Sequence, residues 1–521
     1  MLDLTSQSKL KTQTLNKNCI MTNASVALNP NKLVQYLQKM PNEFTKEDLI
    51  RYIEENGIQM INFRYVANDG KLKTLNFIIT DRNHLDSILS TGERVDGSSL
   101  FPFIEAGSSD LYVIPRFKTA FLNPFSEVPT LDILCSFYTA QGEPLESAPE
   151  HILKKAHNCF KEKTGMTFKA MGELEYYIKS AKAELYPGED QKGYHDSQPF
   201  TQWENLRREA MVLIAQCGGK IKYGHSEVGN FILREDGYEQ HEIEFIPVEA
   251  EDAVDQLLIG KWIVRMLAAR EGALVSWAPK ITVGKAGSGL HIHMMLEKDG
   301  KNLCVENGKL SDTAKKGIAG IMDLAGPLTA FGNTIPTSYL RLVPHQEAPT
   351  YVCWGDRNRS VLVRVPLGWL GSKDMIKEVN PQQQDDTRDF SSKQTFEFRV
   401  PDGSADIYML VAGLIVAVQH GLEDEKALEK AEALYADMDI FSSDFSERLE
   451  KLEQLPTCCF ESADSLVAKR EVFENNNIFP AGSIDAVAAS LKSYNDNGLN
   501  DRILGNHQEI MAIVEKYIHC M

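Results

Sequence analysis

Four short segments of the chain share one pattern, a polar residue, an apolar residue and a second polar residue inside a stretch with strand-like alternation. They are "GELEYYI" at 172–178 with Glu173 and Glu175, "HEIEF" at 241–245 with Glu242 and Glu244, "LHIH" at 290–293 with His291 and His293, and "FEFRV" at 396–400 with Glu397 and Arg399. Residues two apart in a strand project from the same face, about 7 Å from each other, so each segment sets two ionisable groups side by side. A solvated sheet face would use Thr, Lys, Ser and Gln as freely as Glu. Carboxylates, imidazoles and a guanidinium are instead the composition of an inward-facing site that binds cations and anions.

The alternation elsewhere gives the organisation. Residues 1–44 are polar and weakly patterned, apart from a helix near "KLVQYLQKM", and form an extension. Thr45 followed by Asp48 marks a helix start and Gly57 its end. "QMINFRYV", "KLKTLNFIIT", "SDLYVIP" and "PTLDILCSFY" then read as strands of a small sheet-rich domain, 45–146. A helix over "PEHILKKAHNCFKEKTG" opens a large domain, 147–521, with further long helices at 252–272 and 406–422. Glu and Lys alternate at helical spacings over 423–455, which predicts a solvated helix face. Sheet strands separated by long helices, without repeats, make the fold α+β.

Composition narrows the function. The chain has 521 residues, 43% hydrophobic and 25% charged, with 55 basic and 73 acidic residues for a net charge of −18. That balance argues against nucleic acid or an anionic membrane as partner. The longest apolar run, "MLVAGLIVAV" at 409–418, is about half the length of a membrane span and predicts a buried helix. Nine scattered cysteines without a C-x-x-C, and no apolar signal in the first 20 residues, point to reduced thiols in a cytoplasmic enzyme. Met21 is a candidate alternative start.

Eight blocks then occur in one order: "VDGSS" with "SSD" downstream, "GELEYYI", "GHSEVG", "QHEIEF", "GSGLHIH", "YLRLVPHQEAP", "RNRSVLVRVP" and "FEFRVPD". On these the chain resembles the glutamine synthetase family, class I type, from near residue 45 to near residue 425. The resemblance implies a β-grasp-like N-terminal domain, a large catalytic domain on an antiparallel sheet with flanking helices, and a ring-shaped homo-oligomer with active sites between subunits. It also implies the reaction, ATP-dependent joining of ammonium to glutamate through γ-glutamyl phosphate. Two divalent ions, Mg²⁺ or Mn²⁺, would be held by Glu175, Glu227 and Glu242, and by Glu173, His291 and Glu397.

Other roles follow from the same resemblance. Arg359 and Arg364 face the phosphates, and His293 lies near them. Arg341, Arg399 and Gly287 serve the amino-acid substrate. Asp96, Ser99, Asp110, Tyr194 and Glu227 form the ammonium pocket, with Asp96 and Ser99 supplied by a neighbouring subunit. Glu347 is the flap residue that shields the intermediate from water.

The chain also departs from the family pattern. Ala286 stands where an Asn is usual beside the glutamate, and Thr395 where a basic phosphate contact is usual, with Lys393 nearby. Residues 367–395 form an insertion, and Tyr435 is a poor match to a nucleotidylation site. Ala286 and the insertion make γ-glutamylation of an organic amine the alternative, and a non-catalytic relative a third.

Overall fold

The computed structural model describes residues 26–101, 104, 109–343, 348–368, 370, 373–384, 390–503 and 505–520. The chain divides into two compact units, residues 1–144 with 209–219, and residues 145–208 with 220–521.

The first unit is built on strands β1 Met60–Val66, β2 Leu72–Ile78, β3 Glu93–Asp96, β4 Asp110–Pro115, β5 Phe121–Leu122 and β6 Thr130–Tyr138. They form a 6-stranded sheet in the order β2-β1-β6-β4-β3, with β5 on β6. β1 and β6 run parallel at its centre, and the other pairs are antiparallel. Leu49 and Ile53 of the helix Lys46–Glu55 and Leu85 and Leu89 of the helix Arg82–Thr91 are buried, as are Phe63, Ile133 and Phe137 of the sheet. The expected helix start is present: the Thr45 hydroxyl accepts from the Asp48 N–H, and the Asp48 carboxylate accepts from the Thr45 N–H at 3.0 Å. Within the extension, the helix Lys32–Leu37 buries Leu33, Val34 and Leu37.

The second unit carries β7 Thr167–Ala181, β8 Ile221–Leu233, β9 Asp236–Phe245, β10 Val248–Glu249, β11 Leu274–Ser276, β12 Leu290–Lys298 and β13 Lys301–Asn302. A short ribbon, β14 Val305–Glu306 and β15 Lys309–Leu310, precedes β16 Trp354–Asp356, β17 Val363–Val365 and β18 Phe396–Phe398. The main sheet is 10-stranded, in the order β16-β17-β18-β12-β7-β9-β8 with β10 and β11 on β7 and β13 on β12. All its pairs are antiparallel except β16 with β17.

Helices Pro149–Thr164, Ala250–Arg270 and Ile407–Glu423 supply much of this unit's apolar core, the last buried along nearly its whole length. Among the described residues no single helix is long and apolar enough to cross a membrane. The stretch 423–455 differs from the expected solvated helix. It breaks into Ala427–Ala433, a 3₁₀ turn at Ser443–Phe445 and Ser446–Leu449, because Ala436, Ile440 and Phe445 turn inward to pack on Cys353 and Val361.

Candidate active site

Strand register brings the polar pairs together. β7 against β9 sets Glu173 opposite Glu244 and Glu175 opposite Glu242, while β12 sets His291 opposite Glu173. On the next strands Glu397 stands opposite His293 and Arg364 opposite Glu397. The ligand atoms of Glu173, His291 and Glu397 all lie within 4.8 Å of one another. His291 Nδ1 is 2.8 Å from Glu173 and 3.4 Å from Glu397.

Glu227 and Glu242 converge in the same way with His225, whose Nε2 is 3.3 Å from Glu242. Glu175 lines the same cavity, with Oε1 3.9 Å from His291 Nε2, while its Oε2 accepts from the Gly289 N–H at 2.8 Å and from the Gln240 amide at 3.2 Å. A third convergent group is Glu173, Glu242 and Glu244, with Lys222 Nζ 2.6 Å from Glu244.

β8 changes register between Ile221 and Tyr223 and again between Ser226 and Asn230. Lys222 and Glu227 fall in these irregular stretches, where the side-chain direction no longer follows simple alternation. The sequence pattern marks Glu244 as the neighbour of Glu242 but does not mark His225 or Gln240. The H-x-E spacing of His225 and Glu227 repeats the E-x-E signal and could have found the first of them.

The charge is out of balance. Burial alone would raise Glu173, but His293 and His291 hold its carboxyl well below the usual range. Burial, then repulsion from Glu173, Glu175, Glu244 and Glu227, pushes Glu242 well above it. Burial disfavours the cation at His293, yet Glu173 and Glu397 outweigh it and raise that imidazole, while at His291 burial wins. The donors are carboxylates and imidazoles without thiolate, and the cluster is short of positive charge. That set fits hard divalent cations such as Mg²⁺ or Mn²⁺.

Guanidinium groups share the cavity, which has a volume of about 1420 Å³ and is lined among others by Glu173, Glu227, Glu242, Arg341, Arg359 and Arg364. Arg364 donates to Glu397 at 3.1 Å and Arg399 donates to it at 3.2 Å. Arg399 also donates to the Arg359 carbonyl. Arg341 is buried and donates to the Val400 carbonyl at 2.8 Å.

Gly287 packs so closely that a Cβ there would lie 2.7 Å from the Pro279 carbonyl oxygen and 3.0 Å from Arg341 Cγ. At Ala286 the backbone is held at both ends, its N–H by Gln191 at 2.7 Å and its carbonyl by Tyr177 at 2.9 Å. Thr395 is 2.9 Å from His293 Nδ1, and Lys393 and Leu367 line the cavity beside it.

Tyr194 is half exposed, stacks on His195 at 4.2 Å and meets the His225 ring edge-on at 5.4 Å. Asp96, Ser99 and Asp110 form an exposed group on the first unit, with Asp96 and Asp110 opposite each other on β3 and β4. Hydrogen bonds from Ser98, then Ser99 and Ser109, hold the Asp96 carboxyl down at about 2. The expected flap residue Glu347 lies outside the described residues.

Residues 146–489 match the family model described as "Glutamine synthetase, catalytic domain", and residues 57–140 match "Glutamine synthetase, beta-Grasp domain". A curated glutamine synthetase from Clostridium saccharobutylicum is 31% identical over 432 residues, 81% of this chain and 89% of that protein. One from Methanococcus maripaludis is 28% identical, covering 83% of this chain and 90% of its own length. Among solved structures, a Plasmodium falciparum glutamine synthetase superposes with TM-score 0.70 at 20% identity, over 87% of this chain and 96% of its own. A chain described as "GmaS/ADP complex-Conformation 1" superposes with TM-score 0.66 at the same identity and coverage. Two family models spanning most of the sequence, and a relative at 31% identity across 81% of it, show that this chain belongs to the glutamine synthetase family.

Proposed function

We propose that this ligase-family chain joins ammonium to the γ-carboxylate of glutamate, with ATP as co-substrate and Mg²⁺ or Mn²⁺ at the site. The observation that carries the proposal is the single cavity in which a carboxylate and imidazole cluster faces Arg341, Arg359, Arg364 and Arg399. Phosphoryl transfer depends on positioning and charge neutralisation, and both signs of charge are supplied here. Glu173, His291 and Glu397 would hold one ion, and Glu175, Glu227 and Glu242 a second, with His225 beside them. Bound divalent ions offset the charge of the carboxylates and of the triphosphate.

In the proposed reaction Arg359 and Arg364 bind the phosphates and Arg341 and Arg399 bind the carboxylates of glutamate. A γ-carboxylate oxygen of glutamate takes the γ-phosphoryl group and ADP leaves. Ammonium, bound beside Tyr194 and Glu227, gives up a proton to a carboxylate. Ammonia attacks the acyl carbon and phosphate departs. Asp96 and Ser99 belong to this step from a neighbouring subunit of a ring, with Glu347 closing the site. The serine contacts keep Asp96 ionised, which suits it to bind the ammonium cation. The free state of all eight described cysteines supports a cytoplasmic setting.

A second reading, γ-glutamylation of an organic amine, is favoured by Leu367, a largely exposed apolar side chain on the cavity wall, and by the apolar Ala286. A coupled ADP-release assay with ATP, Mg²⁺ and glutamate decides between them. ADP release with ammonium is expected; release with a polyamine or aromatic amine but not with ammonium would establish the second reading instead.

A further inference from the structure

The loop at residues 286–289 lies beside Arg341, and its backbone is held by side chains distant in sequence. Tyr177 of β7 donates to the Ala286 carbonyl at 2.9 Å, and Gln191 accepts the Ala286 N–H. Gln240 of β9 donates to the Gly287 carbonyl at 2.9 Å, and Glu175 of β7 accepts the Gly289 N–H at 2.8 Å. Two of these partners, Gln240 and Glu175, also touch each other.

Gln240 is buried, with 1% of its surface exposed, and its orientation is fixed by the network. Its Oε1 accepts the Gly229 N–H at 3.0 Å, so the amide nitrogen must face the other way. There it meets the Gly287 carbonyl, Glu175 Oε2 at 3.2 Å and Ser288 Oγ at 3.3 Å. One amide thus joins three parts of the site: the backbone two residues after Glu227, the carboxylate of Glu175, and the loop on which Arg341 rests. The packing leaves it little freedom. A Cβ on Gly229 would lie 2.4 Å from Gln240 Oε1, and one on Gly289 would lie 2.7 Å from both Arg341 Nη2 and His291 Nε2.

We propose that Gln240 is a positioning residue that couples the cation-binding carboxylates to the loop that receives the amino-acid substrate. Any cation that draws Glu175 toward the Glu227 and Glu242 group pulls on Gly289 directly and on Gly287 through the amide. Glutamate seated against Arg341 and the loop reports back along the same bonds. Such coupling is reciprocal: glutamate tightens cation binding by the factor by which the cation tightens glutamate. Gln240 touches no reacting atom in this account. The inference rests on the reading that divalent ions bind the carboxylate cluster.

The test is isothermal titration of the intact protein with Mn²⁺, without glutamate and with saturating glutamate, for wild type and Gln240→Met. Methionine keeps the length and removes both the donor and the acceptor. Wild type is expected to bind Mn²⁺ about 5- to 20-fold tighter with glutamate, a coupling of ordinary size. In Gln240→Met that ratio should fall to within about 2-fold of unity, with Mn²⁺ still bound. Tyr177→Phe, which loosens the same loop without touching Glu175, should weaken glutamate binding and keep the ratio. If Gln240→Met does not fold, Gln240→Leu serves, because it too has neither a donor for the Gly287 carbonyl nor an acceptor for the Gly229 N–H. A variant that folds, binds Mn²⁺ and keeps the wild-type ratio overturns the coupling while leaving the cation site intact. Absence of saturable Mn²⁺ binding in wild type overturns the cation reading itself, and the coupling with it.

Discussion

Each unit buries a carboxylate on its sheet, and the two are surrounded in opposite ways. In the first unit Asp132 of β6 is fully buried and fully matched. Arg64 Nε donates to it at 2.7 Å, Asn62 at 2.7 Å and Asn123 at 3.1 Å. In the second unit Glu242 is as deeply placed but faces Glu173, Glu175, Glu227 and Glu244. A charge buried for structure is neutralised within the fold, because leaving it unpaired costs several kcal/mol. In the second cluster several carboxylates crowd one another and push the Glu242 carboxyl well above its usual range, a repulsion that cations from solution would relieve. Burial raises both carboxyls, and what separates them is their neighbours: Arg64, Asn123 and Asn62 draw Asp132 back down, while further carboxylates push Glu242 higher.

The largest effect expected from breaking this contrast is on activity. Glu173→Gln removes a carboxylate shared by two of the convergent groups and should lower glutamate- and ATP-dependent ADP release by about 10³-fold or more, while the melting temperature changes little. Near-normal turnover at saturating Mg²⁺ would remove Glu173 from the chemistry.

Arg64→Met attacks the balanced group instead. It leaves Asp132 buried without its cation and should cost about 3–5 kcal/mol in denaturant unfolding. Mn²⁺ affinity per folded chain should be unchanged. A loss below about 1 kcal/mol would mean that Asn62 and Asn123 suffice.

Lys261 sharpens the comparison as a buried cation that lacks a matched carboxylate. Burial, then the neighbouring Arg265, lowers its pKa from 10.5 to about 7, although its Nζ donates to the Gly403 carbonyl at 2.7 Å. Between those two values the unfolded chain holds a proton that the folded chain has released. Stability from this group is therefore full above 10.5 and is lost as pH falls toward about 7. Unfolding at pH 7.5 and pH 9 should show wild type gaining on Lys261→Met by up to about 1.4 kcal/mol per pH unit. Parallel pH profiles would contradict the assignment.

The smallest effect concerns Glu242→Gln without metal. Replacing a carboxyl that burial and its neighbours already disfavour as an anion should raise stability in EDTA by about 1 kcal/mol, the reverse of Arg64→Met. Destabilisation of that variant in EDTA would show the cluster to be balanced already.

Much of this site was legible because alternation in a strand is a strict rule. Glu173 with Glu175, Glu242 with Glu244 and His291 with His293 could be paired by counting, and register then assembled them. The helix start at Thr45 and the buried helix Ile407–Glu423 were equally local signals.

What was not legible depends on register and on distant partners. Lys222 falls at a change of register on β8, which simple alternation does not anticipate. Gln240 carries no charge, and its importance lies in partners from β7, β8 and the 286–289 loop. Over 423–455 the Glu and Lys spacing masked Ala436, Ile440 and Phe445, whose burial breaks the helix. The short polar strand Glu93–Asp96 has too few apolar positions to show a period.

The central claim is that the carboxylate cluster of the second unit is completed by divalent cations. Electron paramagnetic resonance of free Mn²⁺ during titration of the metal-stripped protein counts them directly. The account predicts two saturable ions per chain, with the count reduced in Glu173→Gln and unchanged in Arg64→Met. Titration of the wild-type protein without any saturable uptake of Mn²⁺ would contradict it.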